Sequence, residues 1–277
     1  MKVLHGRPIQ PLRPRVMQGL AARAGIVEDG RVTRSERGAP QGAVISPILA
    51  NAYLHYVYDL WVHRWRRTKA SGDMIVIRYA DDTIVGLQHE HEAKAFLDDL
   101  RERMRMFDLA LHADKSRLIR FGRHATEQRQ VRGEGKPETF DFLGFTHFCT
   151  RSRKTGSFVI GRKTIKKRMV RQLKVIKTEL RRRMHDSVAW TGAWVKQMLQ
   201  GHLNYYAVPG SDPSLRWFVA KVRWRWLKIP KRRSQHAFLH WDEFTRMTDC
   251  FFPPIRILHP QPLHRFDART RGRSPVR

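Results

Sequence analysis

The alternation of apolar and polar positions changes character near residue 150 and predicts different elements on either side. Ser46 can cap a helix with Pro47 at its first position, where the missing N–H costs nothing. Leu49, Tyr53, Tyr56 and Leu60 then recur at helical spacing. Met74–Tyr79 and Thr83–Leu87 are short, β-rich runs flanking Ala80-Asp81-Asp82 and predict a hairpin. Phe96, Leu100, Met104 and Phe107 predict another amphipathic helix, and Leu109–Leu111 and Ser116–Phe121 two short strands. Glu28-Asp29-Gly30 reads as a turn. Arg123–Thr139 is polar, with Gly133, Gly135 and Pro137, and predicts a loop.

Beyond Cys149 the pattern becomes helical. Ile165, Met169, Leu173, Ile176, Leu180 and Met184 form one stripe on a long helix with a basic outer face. Trp190–Val208 and Ser214–Trp226 carry two further helical patterns, so a small bundle follows. Tryptophan at helical spacing is usually core, which puts Trp190 and Trp194 inside. Trp224, between Arg223 and Arg225, is the exposed one. Arg265–Arg277 is arginine-rich with Gly272 and Pro275 and reads as a disordered tail.

Charge sharpens this division. The 277 residues include 54 Lys and Arg against 25 Asp and Glu, a net charge of +29. Residues 1–150 hold 24 basic and 18 acidic residues; residues 151–277 hold 30 and 7. A surplus that large needs a polyanion, and nucleic acid is the first partner to consider. The basic positions recur among aromatic ones: Arg162, Lys163, Lys166 and Lys167, then Arg181, Arg182 and Arg183, then Arg223 and Arg225, then Lys231, Arg232 and Arg233. This is the pattern of a nucleic-acid-binding surface. Two cysteines, Cys149 and Cys250, exclude a disulfide framework or a zinc module of the C-x-x-C type, and a reducing cytosol is the simplest setting. No apolar run approaches the length of a membrane span, and the first 15 residues lack the apolar region of a secretory signal.

The sharpest chemical feature is Tyr79-Ala80-Asp81-Asp82. Two adjacent acids between Ile75-Val76-Ile77 and Ile84-Val85 are costly inside a core, and a tight turn puts them at an exposed tip. There, carboxylate oxygen and substrate phosphate could share Mg²⁺, a hard ion, in a two-metal nucleotidyl transfer. Upstream lies Arg37-Gly38-Ala39-Pro40-Gln41-Gly42-Ala43-Val44-Ile45-Ser46-Pro47. Downstream lie Leu111-His112-Ala113-Asp114-Lys115-Ser116 and Phe140-Asp141-Phe142-Leu143-Gly144-Phe145.

With these four blocks in order, the sequence resembles the reverse transcriptase/maturases encoded by bacterial group II introns, over roughly residues 16–260. Leu203-Asn204-Tyr205-Tyr206 resembles the maturase region, domain X, which doubles as the polymerase thumb. The resemblance implies an α+β fold: residues 1–15 unmatched and disordered, 16–150 a partial palm of antiparallel sheet with packed helices, 151–264 a helical thumb and maturase bundle, and 265–277 the tail. It makes Asp81 and Asp82 metal ligands and Lys115 the group near the triphosphate. Pro40, Gln41, Gly42, Tyr79 and Ala80 would line the nucleotide and template pocket, and Phe142, Leu143 and Gly144 would grip the primer. The implied partners are intron RNA, an RNA template with a DNA primer, deoxynucleoside triphosphates and a DNA target, in the bacterial cytoplasm and without a membrane.

One part of the family pattern is missing. A third carboxylate should come from an earlier palm strand, and residues 1–36 offer only Glu28, Asp29 and Glu36. The fingers blocks are absent too. The expectation is a truncated copy whose missing N-terminal fragment leaves the palm edge open and prone to aggregate. The alternative function is a non-catalytic RNA-binding maturase fragment or a decayed remnant.

Overall fold

The computed structural model describes residues 2–6, 8–9, 25–28, 31–34, 46–152, 155–229 and 240–260. These divide into two compact units, one ending at Glu138 and the other beginning at Thr139.

In the first unit the expected hairpin forms from β5 (Met74–Tyr79) and β6 (Asp82–Leu87), with Tyr79 opposite Asp82. Every residue of β6 is buried. Its backbone groups must therefore be paired on both sides, and the second partner is β1 (Lys2–Gly6), with Gly6 opposite Thr83 and Lys2 opposite Leu87. β1 also pairs with β8 (Arg117–Arg120), so the sheet order is β5-β6-β1-β8. Two expectations change here. Residues 2–6 are not disordered, and the hairpin has no open edge at β6, because Lys-Val-Leu-His-Gly fills that place. Two-stranded ladders join β2 (Pro8–Ile9) to β7 (Ala110–Leu111) and β3 (Gly25–Glu28) to β4 (Arg31–Arg34). The latter pair flanks the predicted Asp29-Gly30 turn, which itself lies outside the described residues.

Helices pack on this sheet. α1 (Ser46–Leu54), a π-helical turn (His55–Asp59) and α2 (Leu60–Thr68) run continuously, and α3 (Glu90–Met106) follows β6. The π turn is closed by Leu60 N–H donating to His55 O, an i→i+5 bond. That wider turn rotates the buried face. Leu54, Val57, Tyr58, Val62 and Trp65 enter the core, whereas Tyr56 and Leu60, expected inside on a regular 3.6-residue period, are exposed. Phe96, Leu97, Leu100 and Met104 of α3 meet them as the pattern predicts. Within the expected polar loop, a short helix, α4 (Ala125–Val131), forms; polar composition is compatible with an exposed helical turn as well as with a loop.

The second unit starts with β9 (Phe140–Phe142), β10 (Phe145–Arg151) and β11 (Phe158–Thr164) in the order β11-β10-β9. The boundary falls twelve residues before the expected one because this sheet pairs with itself. Three helices follow: α5 (Lys166–Arg182), α6 (Val188–Tyr206) and α7 (Asp212–Leu227). α8 (Trp241–Thr248) leads into a 3₁₀ turn at Asp249–Phe251. Met169, Leu173, Ile176 and Leu180 bury the predicted stripe of α5 against Val195, Leu199, Phe218, Val222 and Trp226. Trp190 was expected inside and is 74% exposed, because it lies on the side of α6 away from Val188, Thr191, Gly192 and Val195, which form the packed face. Residues 261–277, including the predicted tail, lie outside the described residues.

His202 is the polar exception in this bundle. It is buried, its ring stacks on Phe218 at 3.8 Å between centroids, and its Nδ1 lies 3.1 Å from Gln172 Oε1. Burial pushes its pKa down to about 4, so it is neutral in the fold. The unfolded chain takes up that proton near pH 6.5. Stability is therefore full above about pH 6.5 and falls as pH drops toward 4, by an amount on the order of 1–3 kcal/mol. Urea unfolding at a series of pH values should show this slope in the wild type and a flatter one in His202→Gln.

Candidate functional site

The hairpin tip is built from strain and a brace. Tyr79 pairs with Asp82, so Ala80 and Asp81 form a two-residue loop. Ala80 takes φ +53°, a left-handed conformation that a residue with a Cβ adopts at a cost of about 1–2 kcal/mol. What holds it there is Arg78. Its Nη1 donates to Ala80 O at 2.9 Å and to Asn51 Oδ1 at 2.9 Å. Its Nε and Nη2 fork onto the two oxygens of Asp59 at 2.7 and 2.6 Å. Burial raises the Asp59 carboxyl, but the Arg78 hydrogen bonds and charge, with His55 adding to them, outweigh it and hold the group below the usual carboxylate range. Tyr58 adds a second tie, its hydroxyl 2.7 Å from Thr83 Oγ1. Arg78, Asp59 and Asn51 were not singled out in the sequence; the signal was there only as an arginine inside a β run.

The brace leaves the tip outward. Tyr79 is 64% exposed and Ala80 and Asp81 are exposed, while Asp82 is 9% exposed at the start of β6. Lys115 is exposed in the turn before β8, where His112 O accepts from Lys115 N and Ser116 N. β6 and β8 run parallel on either side of β1, with Ile84 and Arg117 both opposite His5. Asp82 and Lys115 each precede that row by two residues. Both lie toward the same end of the sheet, Asp82 at the start of β6 and Lys115 in the turn ahead of β8. Pro40, Gln41 and Gly42 lie outside the described residues. Of the two acids expected at an exposed tip only Asp81 is exposed; Asp82 is buried as the first residue of β6, whose two faces are both covered. One exposed acid beside a buried one at a braced bend, with a cation toward the same end of the sheet, suits work on a phosphorylated substrate.

Residues 14–147 match the reverse transcriptase (RNA-dependent DNA polymerase) family. The solved telomerase from Candida albicans in complex with the TWJ fragment of telomeric RNA is similar at 12% identity and a TM-score of 0.44, over 79% of this chain and 29% of that one. This chain thus spans less than a third of that structure's length. No curated protein matches it.

Reverse transcriptase domains generally use divalent metals. Within the matched residues Asp81 and Asp82 are adjacent, but no group of three or more His, Cys, Asp or Glu side chains that could hold a metal occurs among the described residues. The strand beside β6 reads Lys-Val-Leu-His-Gly and contains no acid. The described residues therefore do not fit a complete two-metal centre. A cleft of about 310 Å³ lined by Trp61, Trp65 and Asp99 contains none of the expected site residues.

In the second unit, Leu143 and Gly144 both have positive φ, +47° and +86°, the signature of a type I′ hairpin turn between β9 and β10. Both carbonyls are held: Tyr205 Oη donates to Leu143 O at 2.9 Å, and Ile165 N donates to Gly144 O at 3.1 Å. A Cβ at Gly144 would sit 3.1 Å from Arg168 Nη1 and 3.3 Å from Tyr206 Oη. The Phe-Leu-Gly turn is thereby tied to α5 and α6 of its own unit through Ile165, Arg168 and Tyr205.

The expected RNA-binding cations take different roles. Lys166 and Lys167 are exposed in the first turn of α5, where the helix dipole disfavours cations by roughly 0.3–1 kcal/mol each. Helix stability does not explain them. Lys163 is exposed, with its ammonium 5.5 Å from the Phe148 ring, and Arg181 is exposed. Arg162 is half-buried, and burial pushes its guanidinium below its ordinary value. Arg182 and Arg183 share Glu179, and Arg183 also covers the Trp194 ring at 5.2 Å. Arg223 is bound to Asp249 at 2.7 Å and stacked on Phe252 at 4.2 Å, which commits it to the fold. Arg225 is half-buried and donates to Lys221 O at 3.3 Å. Lys231, Arg232 and Arg233 lie outside the described residues.

The brace is testable. Arg78→Ala should lower stability by about 1–2 kcal/mol in urea unfolding, since a forked guanidinium–carboxylate contact and the tie to Ala80 are lost together. Arg78→Lys should recover less than half of that, because a single ammonium cannot span Asp59, Asn51 and Ala80 at once. Equal stability of all three proteins would remove Arg78 from its role.

Proposed function

We propose that this protein is a group II intron-type reverse transcriptase/maturase whose hairpin pair, Asp81 and Asp82, corresponds to palm ligands of Mg²⁺, and whose basic helical unit binds intron RNA and the template–primer duplex. The observation that carries this is the braced, exposed Ala80-Asp81 tip inside a reverse transcriptase domain. The charge surplus of residues 151–277 supports the RNA role, because phosphate contacts supply most sequence-independent affinity. Lys115 would act near the triphosphate, and Phe142, Leu143 and Gly144 near the primer.

A second reading, a non-catalytic RNA-binding protein, is favoured by one specific fact: β1 contributes no third acid beside Asp82. Loss of one preorganised charge-stabilising group typically costs on the order of 10²–10³ in rate. Primer extension by the purified chain with Mg²⁺ and a primed RNA template should therefore give little or no product. Robust synthesis would reject the second reading.

RNA affinity should separate from the acids. Asp81→Asn with Asp82→Asn should leave RNA binding within about twofold of wild type in a filter-binding assay, as neutralising one exposed and one buried acid of the first unit does not touch the basic unit. Raising salt from 50 to 200 mM should weaken wild-type binding by at least about tenfold through counterion release. A flat salt response would sink the phosphate-contact reading.

A further inference from the structure

The inward side of α7 is fully used: Leu215, Phe218, Val222, Trp226 and Leu227 are buried. Its outward side presents Trp217, Lys221 and Trp224, with Lys228 at the cap, at steps of four, three and four residues, and therefore on one face. Trp217 is 43% and Trp224 45% exposed, in contrast to Trp226 at 3%. The lysines are seated on the rings. Lys221 Nζ lies 5.7 Å from both indole centroids, and Lys228 Nζ lies 3.5 Å from that of Trp224. Among the described residues neither lysine has a carboxylate partner. Ala220, exposed between the two indoles, adds only a methyl group.

We infer that this face binds unpaired nucleotides of RNA, with bases stacking on Trp217 and Trp224 and phosphates meeting Lys221 and Lys228. The inference rests on the RNA-binding reading of the helical unit and adds a single-strand site to it. Seven residues of helix rise separate the indoles by about 10.5 Å, close to three base-stacking steps of about 3.4 Å, so each ring takes a different base. Alternating ring and ammonium matches the alternation of base and phosphate. A duplex, whose bases are already stacked on one another, offers this face only its phosphates. An acidic protein would satisfy the lysines and leave the indoles unused. Stacking on an aromatic side chain is sequence-tolerant, since every base has a π-face.

The test uses the full chain and two labelled probes, a short oligouridylate and an RNA duplex of the same length, with binding followed by anisotropy. Trp217→Leu with Trp224→Leu keeps apolar bulk and good helix propensity but removes the rings. It should weaken oligouridylate binding by roughly 5- to 100-fold per indole and change duplex binding by no more than about twofold. The Trp217→Phe, Trp224→Phe protein should recover most of the loss, which a merely structural role of the two positions would not produce. Unchanged oligouridylate affinity in the double leucine protein overturns the single-strand site while leaving duplex and intron binding standing. Polyglutamate binding as tightly as oligouridylate, and losing as much on the same substitutions, overturns it in favour of an acidic protein partner. Failure of the wild type to bind either RNA would instead remove the RNA-binding reading beneath it.

Discussion

A single guanidinium sets the geometry of the hairpin tip in the first unit. Ala80 sits in a conformation its side chain disfavours, and a two-residue loop with no glycine would relax if nothing held it. Arg78 supplies what holds it, joining the Ala80 carbonyl to Asp59 and Asn51. Those partners sit on the π turn and on α1, so the tip is anchored to the helical layer as well as to its own strand. Asp81 and Asp82 inherit their position from this arrangement. A carboxylate on a freely moving loop keeps no fixed position, whereas Asp81 on a braced loop and Asp82 at the head of a paired strand do.

The π turn matters for the same reason. Had residues 46–68 kept a regular α-helical period, Tyr56 and Leu60 would have faced the sheet. The wider turn brings Val57 and Tyr58 inward instead, and Tyr58 reaches Thr83 beside Asp82. It also puts Asp59 where Arg78 can meet it. One local irregularity thus serves packing and the tip together, which fits the tendency of π turns to occur at functional positions.

Much of this could be read from residues alone, and the failures have identifiable physical causes. The hairpin, α3, and the stripe from Met169 to Leu180 were legible because burial on one face imposes a period that composition cannot hide. The rotated helix face was not, because a π turn has no sequence signature comparable to that of proline or glycine. The brace was hidden because Arg78 looks like an ordinary polar residue alternating with Ile75, Ile77 and Tyr79; only the fold reveals Asp59 nineteen positions away as its partner. The exposed Trp190 misled because residue type was read without the helix face: Val188, Thr191, Gly192 and Val195 take the packed side of α6 and Trp190 the opposite one. The strand at residues 2–6 was missed because five residues carry too little pattern to announce a central strand; its place follows from the pairing needs of β6 and β8.

Charge was the most legible property and the least specific. Residues 151–277 contain seven acids against thirty cations, so most cations have no internal acid to neutralise them, wherever each one lies. The fold then sorts them. Arg223 turns inward to Asp249 and Phe252, and Arg182 and Arg183 converge on Glu179, so these positions spend their charge on structure. Lys166 and Lys167 are placed at a helix start, against the dipole, and Lys221 and Lys228 rest on indoles instead of acids. A cation set against the dipole gains nothing from its own helix. The density of Lys and Arg along the chain therefore says less than the seat each one takes, on an acid, on an aromatic ring or against a helix dipole.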